Sequence, residues 1–91
     1  MMTIEYTAKF RRDYKRVEKQ GRDMSELFFV IGELANGRQL DKKYRDHALT
    51  GNWQGFRECH IQPDWLLVYF VDGGKLVLTL SRTGSHSDLF Q

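Results

Sequence analysis

Three histidines, one aspartate and one arginine make a set that could move protons around a phosphodiester. His60 opens the run HIQPDW, which also holds Asp64. Arg82 and His86 lie in the closing run RTGSHSDLF, and His47 lies in the polar stretch upstream. RNA carries its own nucleophile, because the 2′-hydroxyl already sits beside the phosphate. A protein that cleaves it must take the hydroxyl proton, return a proton to the 5′-oxygen and stabilise charge on the phosphoryl oxygens. Histidine, with an unperturbed pKa of about 6.5, suits the proton transfers. Arginine suits the phosphoryl oxygens through its planar fork. This chemistry requires no metal, and no cofactor is expected.

Each residue has a plainer alternative. Asp64 is close enough in sequence to orient His60 across the turn, or it only caps that turn. Arg82 and His86, four residues apart across Gly84, could meet at one end of the sheet, or Arg82 could pair with Asp88. Trp65 and Phe90 could stack on a base, as aromatic residues of single-strand RNA readers do, or close the core. A zinc site from His60, Asp64 and His86 has none of the usual Cys/His spacings, and alternation points Cys59 away from His60. No serine sits in a strand-to-helix elbow, which argues against a serine nucleophile.

Periodicity gives the strands and helices that carry these side chains. Thr3 to Tyr6 alternates as a first strand. Thr7 is an N-cap for a helix over 8–20, with Phe10, Tyr14 and Val17 as its buried stripe. Asp23 and Glu26 open a second helix as a capping-box-like pair. Leu27, Phe28, Val30, Ile31, Leu34 and Ala35 give that helix a broad apolar surface, and Asn36-Gly37 ends it. The short connection at Gly21-Arg22 implies a helical hairpin. Residues 38–53 read as a long polar loop carrying His47. Three further strands follow over 55–61, 66–71 and 75–81, the middle one an unbroken apolar run and so central. Pro63 fits the second position of a type I turn between the first two. Residues 82–86 read as a loop and 87–90 as a short tail that could make one helical turn. The fold class is α+β, in the order β-α-α-β-β-β. A helical hairpin covers one face of an antiparallel sheet, and the first strand joins at an edge.

Ninety-one residues make one domain with one core. The net charge of +2 says little, but its distribution says more. The first helix carries Lys9, Arg11, Arg12, Lys15, Arg16 and Lys19, and the long loop carries Arg38, Lys42, Lys43 and Arg45. A local basic face of this kind suits a nucleic-acid backbone, or is merely a solvated helix face. The single Cys59 excludes an internal disulfide. No apolar run resembles a signal peptide or could span a membrane, so a cytoplasmic protein is expected.

The string YRDHALTGNWQGFRECHIQPDWLLVY, followed by SRTGSHSDLF, resembles the YafQ-type toxins of the RelE/ParE superfamily of bacterial toxin–antitoxin systems. The resemblance covers nearly the whole chain and extends to the element order and the basic first helix. It departs only at the chain start and in DGGK between the last two strands. It implies a RelE-like fold and an mRNA endonuclease that acts on the 70S ribosome and is held inactive by a cognate antitoxin. Carried over by position, the family's functional set falls on His47, His60, Asp64, Arg82, His86 and Phe90. His60 and Asp64 would belong to the proton-transfer end, Arg82 to transition-state charge and His86 to leaving-group protonation. Phe90 would position the messenger, and His47 would position the phosphate or act as base. Arg11, Arg12, Lys15, Arg16, Lys42 and Lys43 would then grip ribosomal RNA phosphates. The rival reading is a ParE-like protein that poisons DNA gyrase and cleaves no RNA. It has no need of three histidines with Asp64. An inactive partner that only represses transcription with its antitoxin is a third reading.

Overall fold

Strand β1 (Thr3–Tyr6) leads through Thr7 into helix α1 (Ala8–Lys19) in the computed structural model, which describes residues 1–90. Thr7 caps α1 by accepting the Phe10 amide. Gly21, at φ 79°, turns the chain toward α2 (Met24–Ala35), which Asp23 caps by accepting the Ser25 amide. Next come the short strand β2 (His47–Ala48), then β3 (Arg57–Gln62), β4 (Trp65–Asp72) and β5 (Val77–Gly84). The closing helix is α3 (His86–Phe90).

The sheet runs β1-β5-β4-β3-β2, with β4 at its centre as the apolar run predicts. Two expectations need correction. The sheet is mixed, because β1 pairs parallel with β5 while the other pairs are antiparallel. It also has a fifth strand: His47 and Ala48, read as loop, pair with Glu58 and Arg57. Two residues are too few to show alternation, so the pattern could not reveal β2. One-turn 3-10 helices at Lys42–Tyr44 and Gly51–Trp53 break up the rest of that stretch.

Both long helices cover one face of the sheet. Phe10 and Val17 of α1 and Leu27, Val30, Leu34 and Ala35 of α2 pack with Cys59, Trp65, Leu67, Tyr69, Leu78 and Leu80. Phe28, expected in this layer, is more than half exposed, as is Phe29 beside it. The opposite face carries a smaller cluster, in which Leu89 of α3 packs on Leu66 and Val68 of β4, fringed by Leu49, Trp53, Phe56 and Phe90. No helix among the described residues is long and apolar enough to cross a membrane.

Candidate active site

Strand register places the polar residues of this second face in cross-strand rows. His47 on β2 faces Glu58 on β3, Glu58 faces Val68 on β4, and Val68 faces Arg82 on β5. The adjacent row is His60, Leu66 and Gly84, after which Ser85 leads into His86. Strands lie about 4.8 Å apart, so β3 and β5 stand about 10 Å apart across β4. The histidine–carboxylate half and the arginine half therefore flank the Leu66–Val68 cluster.

The β3 half is a shared carboxylate. Glu58 is buried, and its Oε1 lies 3.6 Å from Nε2 of His47 and 3.6 Å from Nε2 of His60. Each ring is fixed from its other nitrogen. Nδ1 of His47 is 2.7 Å from the Arg45 carbonyl, and Nδ1 of His60 is 3.2 Å from the Pro63 carbonyl. A carbonyl only accepts, so both Nδ1 atoms carry hydrogen, and each Nε2 is the atom turned toward Glu58. Glu58 was not among the expected site residues. Its signal was its position two residues before His60, on the same strand face.

Asp64 does not join this group. Its side chain is 75% exposed and takes a forked contact from Arg22, at 3.3 and 3.4 Å. The hydrogen bond from Arg22 and its charge hold the Asp64 carboxyl below its ordinary value. The turn does orient His60, but through the Pro63 carbonyl. Trp65, which could stack on a base or close the core, is not placed to stack. Trp65 is fully buried, donates Nε1–H to Thr83 Oγ1 at 2.9 Å and lies beneath the Arg22 guanidinium. With neither face open, it closes the core.

On the β5 half, Arg82 lies in the strand and not in the predicted loop. A register shift between Val68 and Tyr69 lets β5 carry an extra residue there. His86 is exposed at the start of α3, 5.1 Å from Phe90 between ring centres. Phe90 is half-buried, edge-on to Trp53 at 5.8 Å, and Trp53 is edge-on to Phe56 at 5.4 Å. The helix begins at His86 because Ser85 and Asp88 cap each other. The Ser85 amide donates to the Asp88 carboxylate, and the Asp88 amide donates to Ser85 Oγ. Asp88 therefore caps a helix and does not occupy Arg82.

The strand that presents His47 has its own anchor. Asp46 accepts the Tyr69 hydroxyl at 2.6 Å and contacts Arg57 at 3.3 Å. Burial, then the Asp46 carboxylate, pushes the Tyr69 phenol up, so the hydroxyl stays a donor. Cys59 is buried on the helix side, and burial pushes its thiol up as well, which leaves it inert.

The basic residues divide between two places. Arg11, Arg12 and Lys15 are exposed on α1, which packs against β5, while Lys42 and Lys43 are exposed beside β3. Arg16 is a correction to the expected set. It is half-buried and bonds Asp13 and the Thr83 carbonyl, so it is not free to grip a phosphate. Among the described residues no group of three His, Cys, Asp or Glu side chains is arranged to hold a metal ion.

Residues 2–91 match the family model described as the bacterial toxin of a type II toxin–antitoxin system, YafQ. The chain is 38% identical over 88 residues to the mRNA interferase toxin YafQ of Escherichia coli strain K12, covering 96% of this chain and 94% of that one. It superposes at TM-score 0.93 on a metal-bound toxin from Helicobacter pylori, 48% identical, with 99% and 100% of the two chains covered. It superposes at TM-score 0.91 on a chain of the Escherichia coli DinJ–YafQ complex, 36% identical, with 100% of both covered. The β-α-α-β-β-β frame, read now with its added strand, is thus shared with solved toxins, and the chain belongs to the YafQ family of type II toxin–antitoxin toxins.

Proposed function

We propose that this protein is an mRNA interferase that cuts messenger RNA on the 70S ribosome and is silenced by a cognate antitoxin. The observation that carries the proposal is the pair of histidines aimed at buried Glu58, which stands in the same cross-strand row as Arg82. The His47–Glu58–His60 group takes the proton of the 2′-hydroxyl. The 2′-oxygen attacks phosphorus while the bond to the 5′-oxygen breaks, and His86 gives that oxygen its proton. Arg82 stabilises the charge that builds on the non-bridging oxygens. The products are a 2′,3′-cyclic phosphate and a 5′-hydroxyl. Phe90, with Trp53 behind it, offers an aromatic platform for a base. Asp64 acts at one remove, by fixing Arg22 and the turn that holds His60.

The ribosome supplies what the protein lacks. Arg11, Arg12, Lys15, Lys42 and Lys43 offer phosphate contacts on two sides of the sheet, and the messenger is presented in a shape free RNA does not hold. An antitoxin fits the family, and a relative is solved in complex with DinJ. End-group analysis tests the chemistry. Fragments from a translating extract should carry 5′-hydroxyls that a polynucleotide kinase labels without prior phosphatase. Fragments with 5′-phosphates would contradict 2′-hydroxyl attack. A folded, antitoxin-free protein that arrests growth without cutting messengers would favour the gyrase-poison reading.

A further inference from the structure

Arg82 is held from outside the sheet. Strand β1 ends at Tyr6, opposite Leu80, so β5 runs on past its parallel neighbour with an open edge. The last contacts on that side are the Thr7 amide to the Leu80 carbonyl and Thr7 Oγ1 to the Ser81 carbonyl. Beyond them, the Thr83 amide donates to Asp13 Oδ2 at 3.2 Å, and the Thr83 carbonyl accepts from Arg16 Nη2 at 3.0 Å. Two side chains of α1 thus stand in for the missing strand. Asp13 is 2% exposed. The same carboxylate takes Arg82 Nε–H at 2.6 Å, Arg82 Nη2–H at 3.2 Å and Arg16 Nη1–H at 2.9 Å.

A guanidinium has two forked edges that can each meet two oxygens. Asp13 occupies the Nε–Nη2 edge of Arg82. Nη1 makes no hydrogen bond among the described residues and Nη2 keeps a second hydrogen, so the Nη1–Nη2 edge is the one left for phosphoryl oxygens. We infer that Asp13 is a positioning residue for RNA cleavage: it clamps one edge of Arg82 so that the other is presented rigidly to the scissile phosphate. The inference rests on Arg82 acting as proposed above. A free arginine side chain must lose rotamer freedom at each encounter, whereas a clamped one has lost it on folding. Asp13 does not touch the substrate. It acts through Arg82, and Arg16 and the Thr83 amide keep the clamp's remaining acceptor sites filled.

The test is a double-mutant cycle in a reconstituted 70S cleavage reaction, with toxin concentration varied to separate half-saturation from limiting rate. Asp13→Asn keeps the shape of the side chain but replaces one acceptor oxygen with a donor that opposes Arg82. Its limiting rate should fall about 10- to 100-fold, with half-saturation little changed. Added to Arg82→Ala, it should cost nothing further, because the clamp then has nothing to hold. In the free protein, the Arg82 Nε–H resonance of nitrogen-labelled arginine should exchange slowly in wild type and fast in Asp13→Asn. If Asp13→Asn fails to fold, Asp13→Glu carries the test, with the same loss against Arg82→Ala reduced in size. A wild-type limiting rate in folded Asp13→Asn beside an impaired Arg82→Ala overturns the clamp and leaves Arg82 in place. Losses that multiply in the double mutant overturn the clamp as well. Full activity in Arg82→Ala overturns both.

Discussion

At the scale of single residues, the site depends on which nitrogen of each histidine is committed. Backbone carbonyls take Nδ1 of His47 and of His60, which leaves both Nε2 atoms facing Glu58. Replacing Glu58 with Gln removes the charge that both rings face and keeps the volume. Cleavage by Glu58→Gln should fall at least about 100-fold while thermal unfolding shifts little. Activity within a few-fold of wild type would remove Glu58 from the mechanism. The histidines were legible because few other residue types exchange protons at neutral pH. Glu58 was harder to recognise, because its second partner, His47, arrives through a strand pair that sequence spacing does not encode. Asp13 was harder still. On a helix rich in lysine and arginine an acid reads as ordinary charge balance, and only the tertiary fold shows four donors converging on it.

At the scale of elements, the end of β5 and the start of α3 decide where Arg82 and His86 stand. Gly84 joins them at φ 149°, and an added Cβ would lie 2.5 Å from Arg16 Nη2 and 3.1 Å from Asp88 Oδ2. Gly84→Ala should therefore destabilise the protein by about 1–3 kcal/mol, measured by denaturant unfolding. An unchanged midpoint would show that the crossing has slack. Ser85→Ala removes a reciprocal cap and should cost about 1 kcal/mol. Its effect on cleavage should exceed its effect on stability, because His86 is the first residue of the helix that Ser85 starts. The long helices and central strands were legible because each repeats its pattern over several residues. The strand at His47 was not, because two residues are too few for a period, whereas the tail over 87–90, read as able to make one helical turn, is helix α3 and starts one residue earlier, at His86. The Ser85–Asp88 spacing carried the one local signal for α3.

At the scale of the whole molecule, two faces of one sheet divide the labour. The helix side holds the larger core, and the other side carries the polar rows beside a small apolar cluster. Asp13 links the two. Burial pushes its carboxyl up, but hydrogen bonds from Arg82, the Thr83 amide and Arg16 outweigh burial and hold it below the ordinary value. A depressed carboxyl stabilises the folded state fully above its unfolded pKa of about 4 and loses that contribution as pH falls further. Wild type should thus lose stability below about pH 4 more steeply than Asp13→Asn, as acid titration of the unfolding midpoint would show. Parallel curves would mean that Asp13 adds nothing to acid sensitivity. The exposed basic residues act at the same scale. Reversing Arg11, Arg12 and Lys15 to Glu should weaken ribosome association and flatten its salt dependence, with little effect on unfolding. A salt slope equal to wild type would place ribosome contact elsewhere.

Primer extension on one messenger in a translating extract shows whether this fold cuts messengers on the ribosome with its histidines. Wild type, Glu58→Gln and His86→Ala would be run side by side, with a ribosome-depleted extract as control. Discrete wild-type cuts within the reading frame should vanish in His86→Ala, fade in Glu58→Gln and be absent without ribosomes. His86 is exposed, so its loss should leave folding intact. A folded His86→Ala protein that cuts at the same positions and rate as wild type would contradict the mechanism. Equal cutting in the depleted extract would contradict the dependence on the ribosome.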